Sequence, residues 1–346
     1  MEFQFKQDVV ATLIQELMAI DSPSGYTQYA IAYIENKANA YQLPFMRTHK
    51  GNGIIYMPGR NAKTTIGVCA HVDTLGLMVR SIKSNGRLCF TKVGGPILPS
   101  LDSEWCKVYT REGKVYSGTI YSTSPAAHVF KDAASKERTE DTMEVILDEK
   151  VKSKEEVEKL GIQTGDYICF DPKTTITENG FIKSRFLDDK LSVAIILGII
   201  DFMVENHIQP ENNVKFMFST YEEVGHGMAY IPEDITELLC VDMGCIGQDL
   251  NCSEYDVSIC AKDSSGPYDY QMTGDLIAMA KKHQLQYAVD IYPYYGSDAS
   301  AALRAGHDIR AALIGPGVFA SHGYERSTME AVDQSMQLVY YYLTNQ

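Results

Sequence analysis

TTIGVCAHVD (Thr64–Asp73) reads as a short β-strand, Thr65–Ala70, that runs straight into a histidine and, two positions on, an aspartate. The same pattern recurs along the chain. VKFMFST (Val214–Thr220) meets Tyr221-Glu222-Glu223. ELLCVDMG (Glu237–Gly244) carries Asp242 near its end, and DIRAALIG (Asp308–Gly315) leads into a loop holding His322. Helical spacing lies between these strands, at Asp189–Met203, Tyr270–His283, Asp298–Ala305 and Ser327–Leu343, and earlier at residues 5–20 and from the DSPSG turn to about Asn39. Strands alternating with helices predict an α/β layered sheet.

Residues 75–180 differ. Gly/Pro punctuation (GGPILPS, REGKVYSG), short β-type runs (KVYSGTIYS, GDYICFD) and one short helix near Ser153–Leu160 read as a β-rich module inserted into the α/β domain. The expected division is 1–74 with 181–346 as one domain and 75–180 as the other. At 346 residues, two domains is the ordinary expectation.

The net charge is −14, which argues against nucleic acid or an anionic membrane as main partner. The longest apolar stretch, Leu191–Ile200, stops at Asp201 and falls short of the about 30 Å a spanning helix must cover. MEFQFKQDVV lacks the basic start and apolar run of a signal peptide. Eight cysteines with no C-x-x-C pair read as reduced thiols, so the expected location is cytoplasmic.

In open α/β sheets, ligands gather beyond the carboxyl ends of strands. There the sequence places His71 and Asp73, Glu222 and Glu223, Asp242 and His322, with Asp188-Asp189 opening a helix. Two imidazoles and several carboxylates meeting at one point would hold a cation, since unpaired buried carboxylates are costly. Mixed His and carboxylate donors suit Zn²⁺, with Co²⁺ or Mn²⁺ as alternatives. The spacing of His71 and Asp73 puts both side chains on one face of an extended segment, so Asp73 can orient the metal-bound imidazole. Neighbours in an extended chain point apart, so of Glu222 and Glu223 one can bind metal while the other faces a water. Singly, each residue also has a plain structural reading: a helix N-cap for Asp188 or Asp189, an acidic turn for the Glu pair, a strand-end turn for Asp242, a loop histidine for His322. Asp298 in YGSDASAA reads as a helix N-cap, and His128, His226, His283 and His307 as structural.

The joint order H-x-D, D-D, E-E, D, H resembles the dinuclear-metal aminopeptidases of the tetrahedral, self-compartmentalised (TET-type) glutamyl and deblocking family. The resemblance covers nearly the whole chain: SPSG (Ser22–Gly25), HVDTLG (His71–Gly76), VGGP (Val93–Pro96), FLDDK (Phe186–Lys190), YEEVG (Tyr221–Gly225), VDMG (Val241–Gly244), GSDA (Gly296–Ala299) and SHGYE (Ser321–Glu325). His71 to Asp188 spans 117 positions, and Glu223 to Asp242 only 19. The insertion thus precedes the D-D pair, whereas related carboxypeptidases and deacylases carry theirs after the Glu pair. Thr74, Ser192 and Tyr26 stand where the family usually has Glu, Gly and Glu; none is a presumed ligand.

The resemblance implies a three-layer catalytic domain, its central mixed sheet flanked by helices, with the inserted β-rich domain driving dimerisation and a dodecamer beyond it. It implies two divalent metal ions per subunit. Asp188 would bridge them, His71 and Asp242 would complete one site, and Glu223 and His322 the other. Asp73 would orient His71, and Glu222 would be the general base. The substrate would be a peptide with a free N-terminus. Two rivals stand beside this reading: a hydrolase of N-acyl amino acids or dipeptides in the same clan, and an inactive binding homologue. A carbohydrate hydrolase would need its own acid/base carboxylate pair, and no G-x-S-x-G supports a serine hydrolase.

Overall fold

The computed structural model describes residues 3–345 and divides into two compact units, Met1–Asp73 with Lys173–Gln346, and Thr74–Pro172. Met1, Glu2 and Gln346 lie outside the described residues. No helix among those described is long and apolar enough to cross a membrane.

The discontinuous unit is built on a mixed sheet. Its strand order is Phe45–Arg47, Gly53–Met57, Asn212–Ser219, Asn61–His71, Ile235–Val241, Arg310–Val318, Val257–Asp263 and Gly266–Pro267, with Tyr287–Ile291 beside Val257–Asp263. The four central strands run parallel. Parallel strands covered on both faces read as continuous apolar runs, which is why every residue from Thr65 to His71 is buried.

Helix Asp298–Arg304 packs on the central strands, where Ala299 and Ala302 join a core with Cys69, Cys240, Leu238 and Leu313. Helix Leu187–Glu205 also lies on the central strands and packs against Gln7–Met18 and Met329–Thr344. It is buried from Leu187 to Ile200, and a helix apolar all round belongs inside the protein. The α/β layering expected from the sequence is the observed one. The strands Val257–Asp263 and Tyr287–Ile291 were not anticipated, and the first brings antiparallel pairing with Arg310–Val318.

A smaller sheet joins Thr175–Ile176, Phe181–Ser184 and Glu325–Thr328, with Ser184 paired to Glu325. That register sets Glu325 beside the segment leading into Asp188.

The unit Thr74–Pro172 is a closed antiparallel six-strand barrel, in the order Gly76–Ile82, Leu88–Val93, Met143–Leu147, Val115–Ser122, Glu104–Tyr109 and Tyr167–Phe170. Closure removes the sheet edges. Leu77, Leu88, Phe90, Val108, Ile120, Val145 and Ile168 are all buried. Helix Lys154–Lys159 starts where Ser153 Oγ accepts the Glu156 N–H. On Glu104–Tyr109 buried and outward residues alternate, and Trp105 points outward at 70% exposure.

Candidate metal centre

The parallel register brings the strand ends level. His71 pairs with Ser219 and Cys69 with Cys240, so His71 and Asp242 end neighbouring strands side by side. The Asp242 N–H donates to the Ile314 carbonyl at 2.9 Å, and this approach leaves no room at Gly315, where a Cβ would lie 1.6 Å from the Asp242 carbonyl oxygen. The chain then turns into the loop of His322, after the strand Arg310–Val318.

His71 is buried. Its Nε2 stands 3.0 Å from Asp188 Oδ1 and 3.8 Å from Glu222 Oε2. His322 Nε2 faces the opposite oxygen, 3.6 Å from Asp188 Oδ2 and 3.7 Å from Glu223 Oε2. Asp188 therefore lies between two imidazoles, one per carboxylate oxygen. Donor atoms of His71, Asp188 and Glu223 lie within 4.8 Å of one another, as do those of His71, Asp189 and Asp242. Asp188, Glu222, Glu223, Asp242 and His322 line one cleft of about 240 Å³.

Three details differ from the sequence reading. The His71 ring is oriented by the Asp73 backbone carbonyl, 2.8 Å from Nδ1, while the Asp73 carboxylate stands at 3.6 Å. That carboxylate accepts instead from Ser24 Oγ (2.5 Å) and from the Glu222 and Glu223 N–H groups (3.1 and 3.2 Å). The Glu pair lies in a single 3₁₀ turn, Glu222–Val224, rather than in extended chain. Asp298 is not the helix cap: Ser297 caps the helix in a reciprocal box with Ser300, and the Asp298 carboxylate binds Ser219 and the Met228 N–H.

Two residues to which sequence reasoning gave no role at the site complete the surround. Asp189 Oδ2 accepts the His71 N–H at 3.1 Å. Glu325 accepts the His322 N–H at 3.0 Å and the Asp188 N–H at 3.2 Å. Acceptors of backbone N–H groups leave no residue-type signature, although each here lies close in sequence to a candidate ligand.

The electrostatics call for positive charge. Burial, followed by neighbouring carboxylates, pushes Asp189, Glu223 and Glu325 well above their usual range. Burial, reinforced by Asp242 and only partly offset by His71, does the same to Glu222, and burial with Asp188 lifts Asp242 to about 7. Asp188 is the exception: burial opposes ionisation, but the His71 hydrogen bond and both imidazoles hold it below the usual value. Glu223 Oε1 and Asp189 Oδ1 are buried with no hydrogen-bond partner. Orphaned carboxylate oxygens beside two imidazoles fit divalent cations, which the donor set would bind through O and N.

Comparison with known proteins settles the family. The sequence profile of M42 glutamyl aminopeptidases matches residues 51–338. The chain belongs to the M42 family. It is a peptide hydrolase of the aminopeptidase kind, in a metal-dependent family. This M42 chain is 46% identical over 332 residues, 96% of each protein, to YhfE of Bacillus subtilis (strain 168), described as a candidate aminopeptidase. Its fold matches the TET aminopeptidase of a marine-sediment Thaumarchaeota archaeon, with TM-score 0.87, 20% identity and coverage of 97% and 96%. It also matches Pyrococcus horikoshii TET1 peptidase, described as assembling into a tetrahedron or a large octahedral shell, with TM-score 0.84, 21% identity and coverage of 97% and 100%.

Proposed function

We propose that this M42 chain removes N-terminal residues from peptides at a dinuclear site in which Asp188 bridges two divalent ions. His71 and Asp242 would complete one coordination set, Glu223 and His322 the other, with Zn²⁺ favoured by the His/carboxylate mixture and Co²⁺ or Mn²⁺ as alternatives. The observation that carries this reading is the division of Asp188 between the imidazoles, Oδ1 toward His71 and Oδ2 toward His322.

When bound, the pair would supply Lewis acidity at the scissile carbonyl and lower the pKa of water. Glu222 would be the proton-transfer group. Its carboxylate lines the cleft with Oε2 3.8 Å from His71 Nε2. It takes a proton from the attacking water and returns it to the leaving amine as the C–N bond breaks. The acidic surround of the cleft suits a protonated α-amino group, which is the signature of an exopeptidase substrate.

The family description names glutamyl substrates, and one lining residue favours an acidic N-terminal side chain. Arg304 is the cation among the residues described around the cleft, held by its hydrogen bond to Ser265 Oγ at 2.8 Å. The barrel unit is assigned to dimerisation, supported by outward-facing Trp105, and a homo-oligomer up to a dodecamer is supported by the assembly described for the Pyrococcus horikoshii relative.

A panel of aminoacyl anilides and N-acetyl amino acids, assayed on metal-stripped and metal-restored protein, tests the reading. Metal-dependent turnover of free-amine substrates is expected. Turnover of N-acyl substrates alone would move the chain to the deacylase alternative.

A further inference from the structure

Glu325 is buried at 2% exposure, beside the Asp188 carboxylate. Its two oxygens do separate work. Oε1 accepts the His322 N–H at 3.0 Å and Oε2 accepts the Asp188 N–H at 3.2 Å. The two recipients are far apart in the chain yet belong to one proposed coordination set. We infer that Glu325 is a positioning residue that fixes the Asp188 and His322 backbones against each other, and so sets the geometry of the subsite they share with Glu223. This inference rests on the dinuclear reading above.

The residue type follows from the donors. Two backbone N–H groups need two acceptor oxygens on one side chain, and only a carboxylate offers them; a glutamine would turn an NH₂ toward one donor. Placement follows from register. Ser184 pairs with Glu325, and the chain runs from Ser184 through Phe186 to Asp188, while His322 lies one turn before Glu325.

Both ligand segments need restraint. His322 has φ +64°, Ala320 φ +59° and Phe186 φ +66°, all in the left-handed region that non-glycine residues adopt only when their surroundings hold them there. The turn is closed by the Gly323 N–H on the Ala320 carbonyl at 3.0 Å, and Glu325 adds the tie at His322 itself. A buried carboxyl group beside Asp188 is electrostatically adverse by itself, so its presence is accounted for by the N–H groups it holds.

The experiment is Co²⁺ titration of metal-stripped wild type, Glu325→Gln and Glu325→Ala by calorimetry and visible absorption, with thermal midpoints of the metal-free proteins alongside. Wild type should take two ions. Glu325→Gln should keep one ion at wild-type affinity and bind the other about 10–100-fold more weakly, the range for loss of an outer-shell partner, with an altered Co²⁺ spectrum; kcat should fall more than KM changes. Glu325→Ala should lose more, and if it does not fold, Glu325→Gln decides. Two ions at wild-type affinity with an unchanged spectrum in Glu325→Gln, whatever its thermal midpoint, would overturn the inference. Fewer than two ions on wild type would instead overturn the dinuclear reading on which it rests.

Discussion

Asp298 accepts the Ser219 hydroxyl at 2.5 Å, tying the first turn of one helix to the end of the strand that delivers the Glu pair. Its other oxygen takes the Met228 N–H at 2.8 Å, so one buried carboxylate holds both ends of the segment 219–228. Asp298→Ala should lower kcat about 10²-fold, the scale of a 1 Å misplacement of catalytic groups. Asp298→Asn should lose far less, because its amide oxygen still accepts from Met228 and the Ser219 hydroxyl can turn to accept from the NH₂. Steady-state kinetics on an aminoacyl anilide would show this ranking, and equal losses in both variants would refute it.

Burial pushes Asp298 up to about 6. For a carboxyl raised in the folded state, folding favours the protonated form. Its stabilising contribution is complete below the unfolded value near 4 and is lost as pH rises through about 6. The amide introduced by Asp298→Asn cannot ionise. Between pH 4 and pH 6 the stability of this variant relative to wild type should therefore rise, as read by urea midpoints of the metal-free proteins. A pH-independent difference would contradict the shift.

The same clamp requires glycine at 227, where a Cβ would lie 2.2 Å from Asp298 Oδ1 and 2.8 Å from Ser219 Oγ. Gly227→Ala should destabilise by about 1–3 kcal/mol, the usual range for overpacking a close-packed site, and should lower kcat along with it. Chemical denaturation and kinetics check both, and wild-type values in each would show that the loop yields without consequence.

Much of this architecture was legible from residues alone. The central strands stand out because burial on both faces makes them continuous apolar runs, and His71 and Asp242 stand out because they close such runs with an imidazole and a carboxylate. What stayed hidden was the work of side chains on backbone. Asp298 reads as a cap because Asp is common at helix starts, but Ser297 next to it takes that role and frees the carboxylate to reach another strand. Asp73 sits at the right spacing for His71, yet its carbonyl does the orienting while its carboxylate holds the Glu turn. Glu325 lies inside the SHGYE motif, but nothing in a residue type says that its acceptors are N–H groups of Asp188 and His322. Barrel closure was equally invisible, since it depends on pairings between distant strands.

Arg304→Glu reverses the charge of an exposed residue and should leave folding intact. It should cut kcat/KM for glutamyl or aspartyl anilides at least tenfold while changing leucyl substrates little. A uniform effect on all substrates would remove Arg304 from substrate selection.

Glu222→Gln keeps the size of the side chain and removes its proton-transfer capacity. Hydrolysis should fall about 10²–10⁴-fold, the usual contribution of a general acid–base, with metal content unchanged by elemental analysis. Wild-type turnover in this variant would assign proton transfer elsewhere.

The central claim is that Asp188 shares its two oxygens between two divalent ions. Anomalous difference maps from crystals grown with saturating Zn²⁺ test it most directly. The account predicts two peaks per chain flanking the Asp188 carboxylate, one beside His71 and Asp242 and the other beside Glu223 and His322. A single peak, or none, at full zinc saturation would contradict it.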